Sequence, residues 1–109
     1  MVSREDYAWA AGLFEGEGCF NASTGPRARG GRYKNCMAKL AMTDKDSVIR
    51  FAGIMGVGNI RFEDRRHLGH QGIWVWTTGS FEGTQHVVAS LWFGLGRRRR
   101  DQARAVLGH

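Results

Sequence analysis

The chain has 109 residues, the size of a single domain, which we take to span residues 1–109. Its hydrophobic content of 42%, with four Trp and six Phe, is enough for a small buried core. No apolar run approaches the roughly 18 residues of a membrane span, and the polar N-terminus predicts no signal peptide. Two cysteines without metal-ligand spacing exclude a disulfide framework and are typical of an intracellular rather than a secreted protein.

The formal net charge is +6 with His neutral, from 16 Lys and Arg against 10 Asp and Glu. This excess favours a polyanionic partner, nucleic acid first and an anionic membrane surface second. The basic residues fall in three clusters, at 27–34, 61–66 and 97–100, separated by apolar segments. Because a disordered basic tail would form one block, this spacing predicts a basic surface assembled from several parts of a folded chain.

The first predicted element is a helix over residues 4–17. Its small residues share one side of the helix: Ala8, Ala11, Gly12 and Gly16. Glycine inside a helix costs about 1 kcal/mol relative to alanine, so two glycines four residues apart need a reason. Small residues at this spacing let another helix approach closely. That helix belongs either to the same chain or, as we favour, to a second copy. Gly18 then ends the helix.

Two strands follow, over residues 19–24 and 33–42, around an Arg-rich turn bounded by Gly25-Pro26 and Gly30-Gly31. Residues on the two faces of each strand differ in polarity with a period of two. In the second strand one face carries Cys36, Ala38, Leu40 and Met42, and the other carries Tyr33, Asn35, Met37, Lys39 and Ala41. This alternation predicts a half-buried antiparallel hairpin.

The rest of the chain predicts two further helices, a second hairpin and a short terminal helix. A helix over 43–55 is expected to be capped by Thr43, with Asp46 three residues on. Strands over 58–63 and 73–78 enclose a loop at 64–71. A third helix, capped by Ser80, is expected over 81–93, and the terminal helix begins at Arg97.

This order predicts an α+β fold, αββαββα with the short helix after it. Its four-stranded antiparallel sheet is expected to carry the helices on one face. The bare face would carry long or polar side chains at two-residue spacing: Asn21, Ser23, Asn35, Lys39, Arg61 and Glu63.

Two acids, Glu15 and Glu17, lie at the C-terminal end of the first helix. The helix dipole is negative there and disfavours an acid by some tenths of a kcal/mol. Two acids at this end, where the chain enters a basic sheet, suggest a bound cation. The alternative is that both acids pair with nearby arginines.

Residues 10–18, AAGLFEGEG, resemble the LAGLIDADG motif position for position, with Ala10 in place of the first Leu and Glu for both acids. Further segments resemble the same family in the same order. They are Met42–Asp46 at the start of the second helix, Gly56–Ile60 in the following turn and strand, Trp74–Trp76 in the last strand, and Arg99–Ala103 in the final basic segment. Nearly the whole chain is thus similar to the LAGLIDADG homing endonucleases, in their single-motif, homodimeric form.

The resemblance implies that two copies of the motif helix pack together at a dimer interface. The residues that it assigns to this interface are Ala8, Ala11, Gly12, Glu15 and Gly16. Because the sequence carries one motif, we expect the dimer to join two chains. Its twofold axis predicts a palindromic or near-palindromic DNA site.

The resemblance also implies the catalytic residues. Glu17 matches the family's metal-binding acid, the backbone carbonyl of Gly16 is expected as a further ligand, and Arg99 matches a basic residue near the scissile phosphates. We expect Mg²⁺, with Mn²⁺ as a substitute, because Mg²⁺ binds through one or two carboxylates plus phosphate oxygens. Such a metal activates water and stabilises charge on the attacking and leaving oxygens. We expect neither a small-molecule cofactor nor a membrane partner.

The expected substrate is double-stranded DNA, read by antiparallel ribbons in the major groove. A strand rises about 3.3 Å per residue and DNA about 3.4 Å per base pair, so two copies would read about twenty base pairs. Arg61 is a candidate for a guanine contact and Asn35 for an adenine contact, with phosphate contact alone an open alternative for each arginine. The predicted DNA-binding residues are Asn21, Ser23, Arg27, Arg29, Tyr33, Asn35, Met37, Lys39, Asn59, Arg61, Glu63, Arg65, Val75, Arg97 and Arg98.

Two other functions remain open. The main alternative is a non-cleaving relative of the same fold, a transcription regulator or an RNA-splicing maturase, which would not need the acid at position 17. A weaker alternative is a basic ribosomal-type RNA-binding protein, which has no use for paired acids at a helix end. The four His show no HNH or zinc spacing, and the glycines at 94–96 lack the GK[ST] of a P-loop.

Overall fold

The computed structural model describes residues 1–26 and 32–108, and for 23–26 and 32–34 it describes the backbone alone. The elements are α1 (Arg4–Glu17), β1 (Gly18–Pro26), β2 (Arg32–Met42), α2 (Lys45–Met55), β3 (Asn59–Glu63), β4 (Ile73–Thr77), α3 (Phe81–Leu91) and α4 (Arg97–Leu107), with 3-10 turns at Arg66–Leu68 and Trp92–Gly94. One antiparallel sheet has the strand order β1-β2-β4-β3. The predicted α+β order is confirmed. No helix in these described ranges is long and apolar enough to cross a membrane.

Helix α1 is defined at both ends by specific contacts. At its start, the Ser3 hydroxyl accepts the Asp6 N–H at 3.1 Å and the Asp6 carboxylate accepts the Ser3 N–H at 3.0 Å, which satisfies two backbone donors of the first turn. At its end, Gly18 is extended rather than left-handed, with φ −91°. A Cβ at Gly18 would overlap the Phe14 ring, so glycine is needed here for close packing.

The core lies between the sheet and the helices, and four aromatic rings run through it. Phe14 contacts Phe20 and Phe51 with ring centroids 4.8 and 5.9 Å apart, and Phe51 meets Trp76 edge-on at 4.8 Å. All four rings are at most 4% exposed. The Trp76 indole N–H donates to the Val57 carbonyl at 2.9 Å, so its one polar atom is satisfied. These contacts hold α1 and α2 against the sheet.

Two predicted helix boundaries are wrong. Helix α2 begins at Lys45, because Asp44 rather than Thr43 caps it: the Asp44 carboxylate accepts the Asp46 N–H at 3.1 Å and the Ser47 hydroxyl at 2.8 Å. Helix α3 ends at Leu91 instead of Phe93, and the chain tightens into the 3-10 turn Trp92–Gly94. A Cβ at Gly94 would lie 2.5 Å from the Cβ of Ala11, so this turn packs closely on α1.

The two hairpins of the sheet overlap only in part. Strand β2 pairs with β1 over Arg32–Leu40 but with β4 only over Lys39–Met42. One residue further out, Ala38 exchanges backbone and side-chain hydrogen bonds with Thr78 at 3.0 and 2.9 Å. Beyond Ala38, β1 and β2 therefore continue as a two-stranded ribbon. The predicted turn at Gly25-Pro26 is instead part of β1, where proline is tolerated because β1 is an edge strand.

Replacing two glycines with alanine should have opposite effects on stability. Gly18→Ala should lower the free energy of unfolding by about 1–3 kcal/mol, because the new methyl overlaps the Phe14 ring. Gly53→Ala should raise it by up to about 1 kcal/mol, because Gly53 lies inside α2 with open space around its Cβ position. Urea unfolding of both variants measures this, and equal effects would contradict the packing at Gly18.

Candidate nucleic-acid interface

The helix-free face of the sheet collects polar residues from all four strands. The strand register places Cys19, Lys39, Thr77 and Asn59 in one row across the sheet and Ala41, Val75 and Arg61 in the next. Of the residues predicted to bind DNA, those whose side chains lie on this face are Asn21, Asn35, Met37, Lys39, Asn59, Arg61 and Glu63. Ser23 and Tyr33 hold register positions on the same face, opposite Asn35 and Gly25. The side chains of Ser23 and Tyr33, and all of Arg27 and Arg29, lie outside the described residues.

Exposure varies along this face. Asn21, Asn35, Asn59 and Arg61 are exposed, and Met37, Lys39 and Glu63 are half-buried. The exposed amides and guanidinium are groups that can donate to or accept from base edges. Such a row of donors and acceptors is suited to contact with a polar, anionic ligand.

Glu63 joins two arginines at the edge of this face. Its carboxylate accepts a hydrogen bond from the Arg61 guanidinium at 2.6 Å and one from the Arg65 guanidinium at 3.0 Å. The hydrogen bond from Arg65, aided by the charge of Arg61, lowers the pKa of Glu63, so Glu63 is ionised at neutral pH. Next to it, the Asp64 carboxylate accepts hydrogen bonds from the Arg66 guanidinium and from the Arg66 backbone N–H, and both lower the pKa of Asp64. Spacing by two residues in β3 puts Arg61 and Glu63 on one face, but the reach of Arg65 depends on the loop and could not be predicted.

The predicted DNA contact at Val75 is wrong. Val75 lies on the helix-free face, in the same row as Ala41 and Arg61, but its side chain is 0% exposed. Val75 lies in a central strand, between Ala41 of β2 and Arg61 of β3, and no part of its side chain is left exposed. Val75 therefore supports the face without being available to a ligand.

One side of α1 is uncovered. Ala8, Gly12 and Gly16 are exposed, and nothing in the described residues lies within 4 Å of a Cβ placed on either glycine. We call these three residues the α1 stripe. Ala11 was predicted to belong to the same surface, and this is wrong: it is 1% exposed and packs against Gly94 in its own chain.

Glu15, predicted at the dimer interface, makes a contact within its own chain. Its carboxylate accepts the Gly96 N–H at 2.8 Å. Gly96 is the N-cap of α4, where backbone N–H groups are unsatisfied and the helix dipole is positive, so a carboxylate is favoured there. Glu15 thus joins the end of α1 to the start of α4.

Arg99 lies beside Glu15, at the C-terminal end of α1. It is 6% exposed, and its guanidinium donates to the Glu15 carbonyl at 3.1 Å and to Gln102 Oε1 at 3.2 Å. The same Gln102 oxygen accepts the Phe20 N–H at 3.4 Å. Both acceptors of Arg99 are neutral, and the structure shows no ion pair for Arg99 among residues 1–26 and 32–108. Gln102 could not be predicted as part of the site, because its spacing of three from Arg99 on a helix is only a weak signal.

Glu17 is the next acid along the chain, two residues after the carbonyl that Arg99 binds. It is exposed, and none of the ion pairs within the described ranges involves it. The proposed alternative, in which both acids pair with arginines, therefore finds no support. The end of α1, where the chain enters the sheet, thus carries a free carboxylate at Glu17 and binds a largely buried guanidinium through the Glu15 carbonyl.

The basic residues of α4 have different surroundings. Arg97 and Arg98 are exposed, and Arg97 lies 4.0 Å from Asp101. Arg100 instead donates to the Trp92 carbonyl at 2.8 and 3.1 Å and lies over the Trp92 ring. Arg97 and Arg98 are therefore accessible to a phosphate backbone.

Comparison with solved structures relates this arrangement to known proteins. The homing endonuclease I-CvuI, solved on the I-CreI target with 2 mM Mg and uncleaved DNA, is 21% identical, with a TM-score of 0.79 over 97% of this chain and 68% of that one. The group I intron-encoded homing endonuclease I-CeuI, complexed with DNA, is 17% identical, with a TM-score of 0.78 over 99% of this chain and 55% of that one. The LAGLIDADG meganuclease I-AabMI, bound to uncleaved DNA, is 14% identical, with a TM-score of 0.63 over 87% of this chain and 31% of that one. No family model and no curated protein matches the sequence.

This is the LAGLIDADG homing-endonuclease fold. In the LAGLIDADG fold of this chain, the segment 10–18 that resembles the motif forms the C-terminal part of α1 and the first residue of β1. The chain spans about half the length of I-CeuI and about two thirds of that of I-CvuI.

The contact between Glu15 and Gly96 can be tested through stability. Glu15→Ala removes the acceptor of the Gly96 N–H, so we expect a loss of about 0.5–2 kcal/mol, as for other helix caps. Glu15→Gln keeps an acceptor oxygen and should lose less. Glu5→Ala, an exposed acid in the first turn of α1, is the control and should cost a few tenths of a kcal/mol. Equal losses for Glu15→Ala and Glu5→Ala in urea unfolding would exclude the capping role.

Proposed function

We propose that this protein is a site-specific DNA endonuclease that acts as a homodimer and hydrolyses both strands with a divalent metal. The observation that carries the proposal is the chemistry at the end of α1: Glu17 is a free, exposed carboxylate, and the largely buried guanidinium of Arg99 binds the Glu15 carbonyl without an acidic partner in the described residues. A buried cation is stabilised by an anion, and a phosphodiester is the anion that a nuclease would place there. We also expect an intracellular location, since DNA is the substrate.

The helix-free face would bind the DNA. Strand β1 has nine residues, so at about 3.3 Å per residue it follows roughly nine base pairs of DNA. Asn21, Asn35 and Arg61 are exposed on this face and offer groups that read base edges. Arg97 and Arg98 add contacts to phosphates, which carry affinity but no sequence information.

The metal would be held by Glu17 and the carbonyl of Gly16. Both groups are hard oxygen donors, and both residues are exposed, so they fit Mg²⁺. Within one chain's described residues no cluster of three or more His, Cys, Asp or Glu could hold a metal. This fits a site that one carboxylate from each of two chains, waters and substrate phosphates complete. When bound, the metal would activate water and stabilise charge on the attacking and leaving oxygens.

The chain's own residues would divide the remaining work. The positive charge of Arg99 would stabilise the additional negative charge on the phosphate in the transition state. Gln102 and the Glu15 carbonyl hold the guanidinium in one orientation, so that no side-chain entropy is lost when substrate binds. The α1 stripe would bring two copies of Glu17 together by allowing two α1 helices to approach closely.

The role of Glu17 is tested by Glu17→Gln. The amide keeps the size of the side chain but removes the charge that a hard metal needs, so cleavage should vanish. DNA binding should survive or tighten, because one negative charge per chain leaves a phosphate-lined interface. Ca²⁺ in place of Mg²⁺ should also support binding without cleavage. The assay scores product and gel shift on a linear duplex that carries a site selected from a randomised library.

Glu82→Gln is the control, because Glu82 is exposed in the first turn of α3; it should cleave as the wild type does. Undiminished cleavage by Glu17→Gln would remove Glu17 from the mechanism. A wild type that binds its site tightly and does not cut would favour the regulator alternative.

Arg61 and Arg98 should differ in what they contribute to binding. Arg61→Ala should relax preference at one symmetric pair of base pairs, at about 1–3 kcal/mol for a bidentate contact. Arg98→Ala should weaken binding to all sequences alike and lower the slope of log K against log salt by about one per chain. Binding to single-position variants of the site, at several salt concentrations, measures both effects. Sequence-independent losses for both variants would make Arg61 a phosphate contact.

A further inference from the structure

An apolar pocket opens beside α1, away from the helix-free face of the sheet. Its volume is about 460 Å³, and it is lined by Arg4, Tyr7, Ala8, Ser90 and Phe93. We call it the Phe93 pocket. Phe93 is 63% exposed, the highest value for any aromatic side chain in the described residues. Phe93 and the lining of the pocket together form an apolar surface beside α1.

The Phe93 pocket and the α1 stripe are continuous. Ala8 belongs to both. The 3-10 turn that carries Phe93 is held against α1, because a Cβ at Gly94 would lie 2.5 Å from the Cβ of Ala11. Phe93 therefore stands beside the stripe at a fixed position. A helix that packed on the stripe near Ala8 would also cover the mouth of the pocket.

The stripe alone offers too little area for a stable dimer. Helix α1 has 14 residues, so it is about 21 Å long at 1.5 Å per residue. With a helix diameter of about 10 Å, the strip it presents covers on the order of 200 Å². Stable interfaces bury about 800 Å² per partner. Most of the buried area must therefore come from surfaces at the side of α1.

The charge of the chain strengthens this requirement. Each copy carries a formal net charge of +6, so two copies repel each other at long range. Apolar contacts must offset this repulsion. The Phe93 pocket is the apolar surface that adjoins the stripe, and Phe93 is an aromatic of the kind that anchors interfaces.

We infer that the Phe93 pocket is the outer part of the dimer interface, and that its occupant is a second copy of this chain. Phe93 of each copy is buried against the matching surface of the other, since a twofold interface uses the same patch on both chains. The inference rests on the proposed homodimer and adds to it the residue that supplies apolar contact outside α1.

The experiment compares three variants by sedimentation velocity of the full chain, without DNA, over a range of concentrations. Phe93→Ala should weaken dimerisation by about tenfold or more, as for an aromatic side chain that is buried in a pocket of the partner. Phe81→Ala is the matched control, because Phe81 is also exposed, at 42%, at the start of α3. It should leave the dimerisation constant unchanged. Gly12→Leu, which fills the stripe, should also weaken the dimer.

The outcomes separate this inference from the proposed dimer. A dimer that is lost in Gly12→Leu but unchanged in Phe93→Ala overturns the role of Phe93 and leaves the α1 interface intact. A dimer weakened by Phe93→Ala but not by Gly12→Leu supports the Phe93 surface and contradicts the packing of two α1 helices. A wild type that is monomeric at all concentrations overturns both.

A second measurement detects the contact directly. A photoreactive benzoylphenylalanine in place of Phe93 is irradiated in a mixture of unlabelled and ¹⁵N-labelled chains. We expect adducts that join a labelled to an unlabelled chain, with crosslinked peptides that include residues 4–8. Adducts confined within single chains would overturn the inference.

Discussion

The junction between the end of α1 and the start of α4 fixes the geometry on which the proposed site depends. The Glu15 carboxylate binds the N-cap of α4 at Gly96, and the Glu15 carbonyl binds Arg99 from the first turn of that helix. Gln102 extends the junction to β1 through the Phe20 N–H. Residues 81 to 84 positions apart in the chain are thereby held within hydrogen-bond distance. Glu17, between these points of attachment, has little freedom in where its backbone can lie.

This junction also explains why the two acids of one motif differ in their surroundings. Glu15 is occupied within the chain, whereas Glu17 is free and exposed. A carboxylate that caps a helix is already satisfied and has little to offer a metal. Glu17 is the acid that remains without a partner in the described residues. The spacing of two residues thus separates an acid that caps a helix from one that is free, on the same helix end.

The sequence predicts most of the fold because its periodicities are strong. The alternation in β2 reflects which side meets the core, and it is confirmed, since Cys36, Ala38 and Leu40 are all buried. The errors fall where a single tertiary contact decides. Asp44 outcompetes Thr43 as a cap through its bonds to Asp46 and Ser47, and Gly94 shortens α3 by packing on Ala11.

The site is predicted less completely than the fold. The motif resemblance indicates α1 and its acids, but periodicity cannot separate Ala11, which packs on Gly94, from the exposed Ala8 one turn away. Likewise, alternation places Val75 on the helix-free face but does not say that its side chain is fully buried there. Both distinctions depend on residues that are distant in sequence. They become visible only when the elements are packed.

The ribbon formed by β1 and β2 beyond Ala38 has a consequence for how the protein can change over time. The outermost core residues of this hairpin are Phe20 and Cys36. Positions 23–26 and 32–35 lie further out and pair only with each other. Backbone pairing depends little on which side chains these positions carry. The outer part of the ribbon can therefore change in sequence while the junction between α1 and α4 is kept, so a lineage carrying this fold could vary one end of the sheet independently of the other.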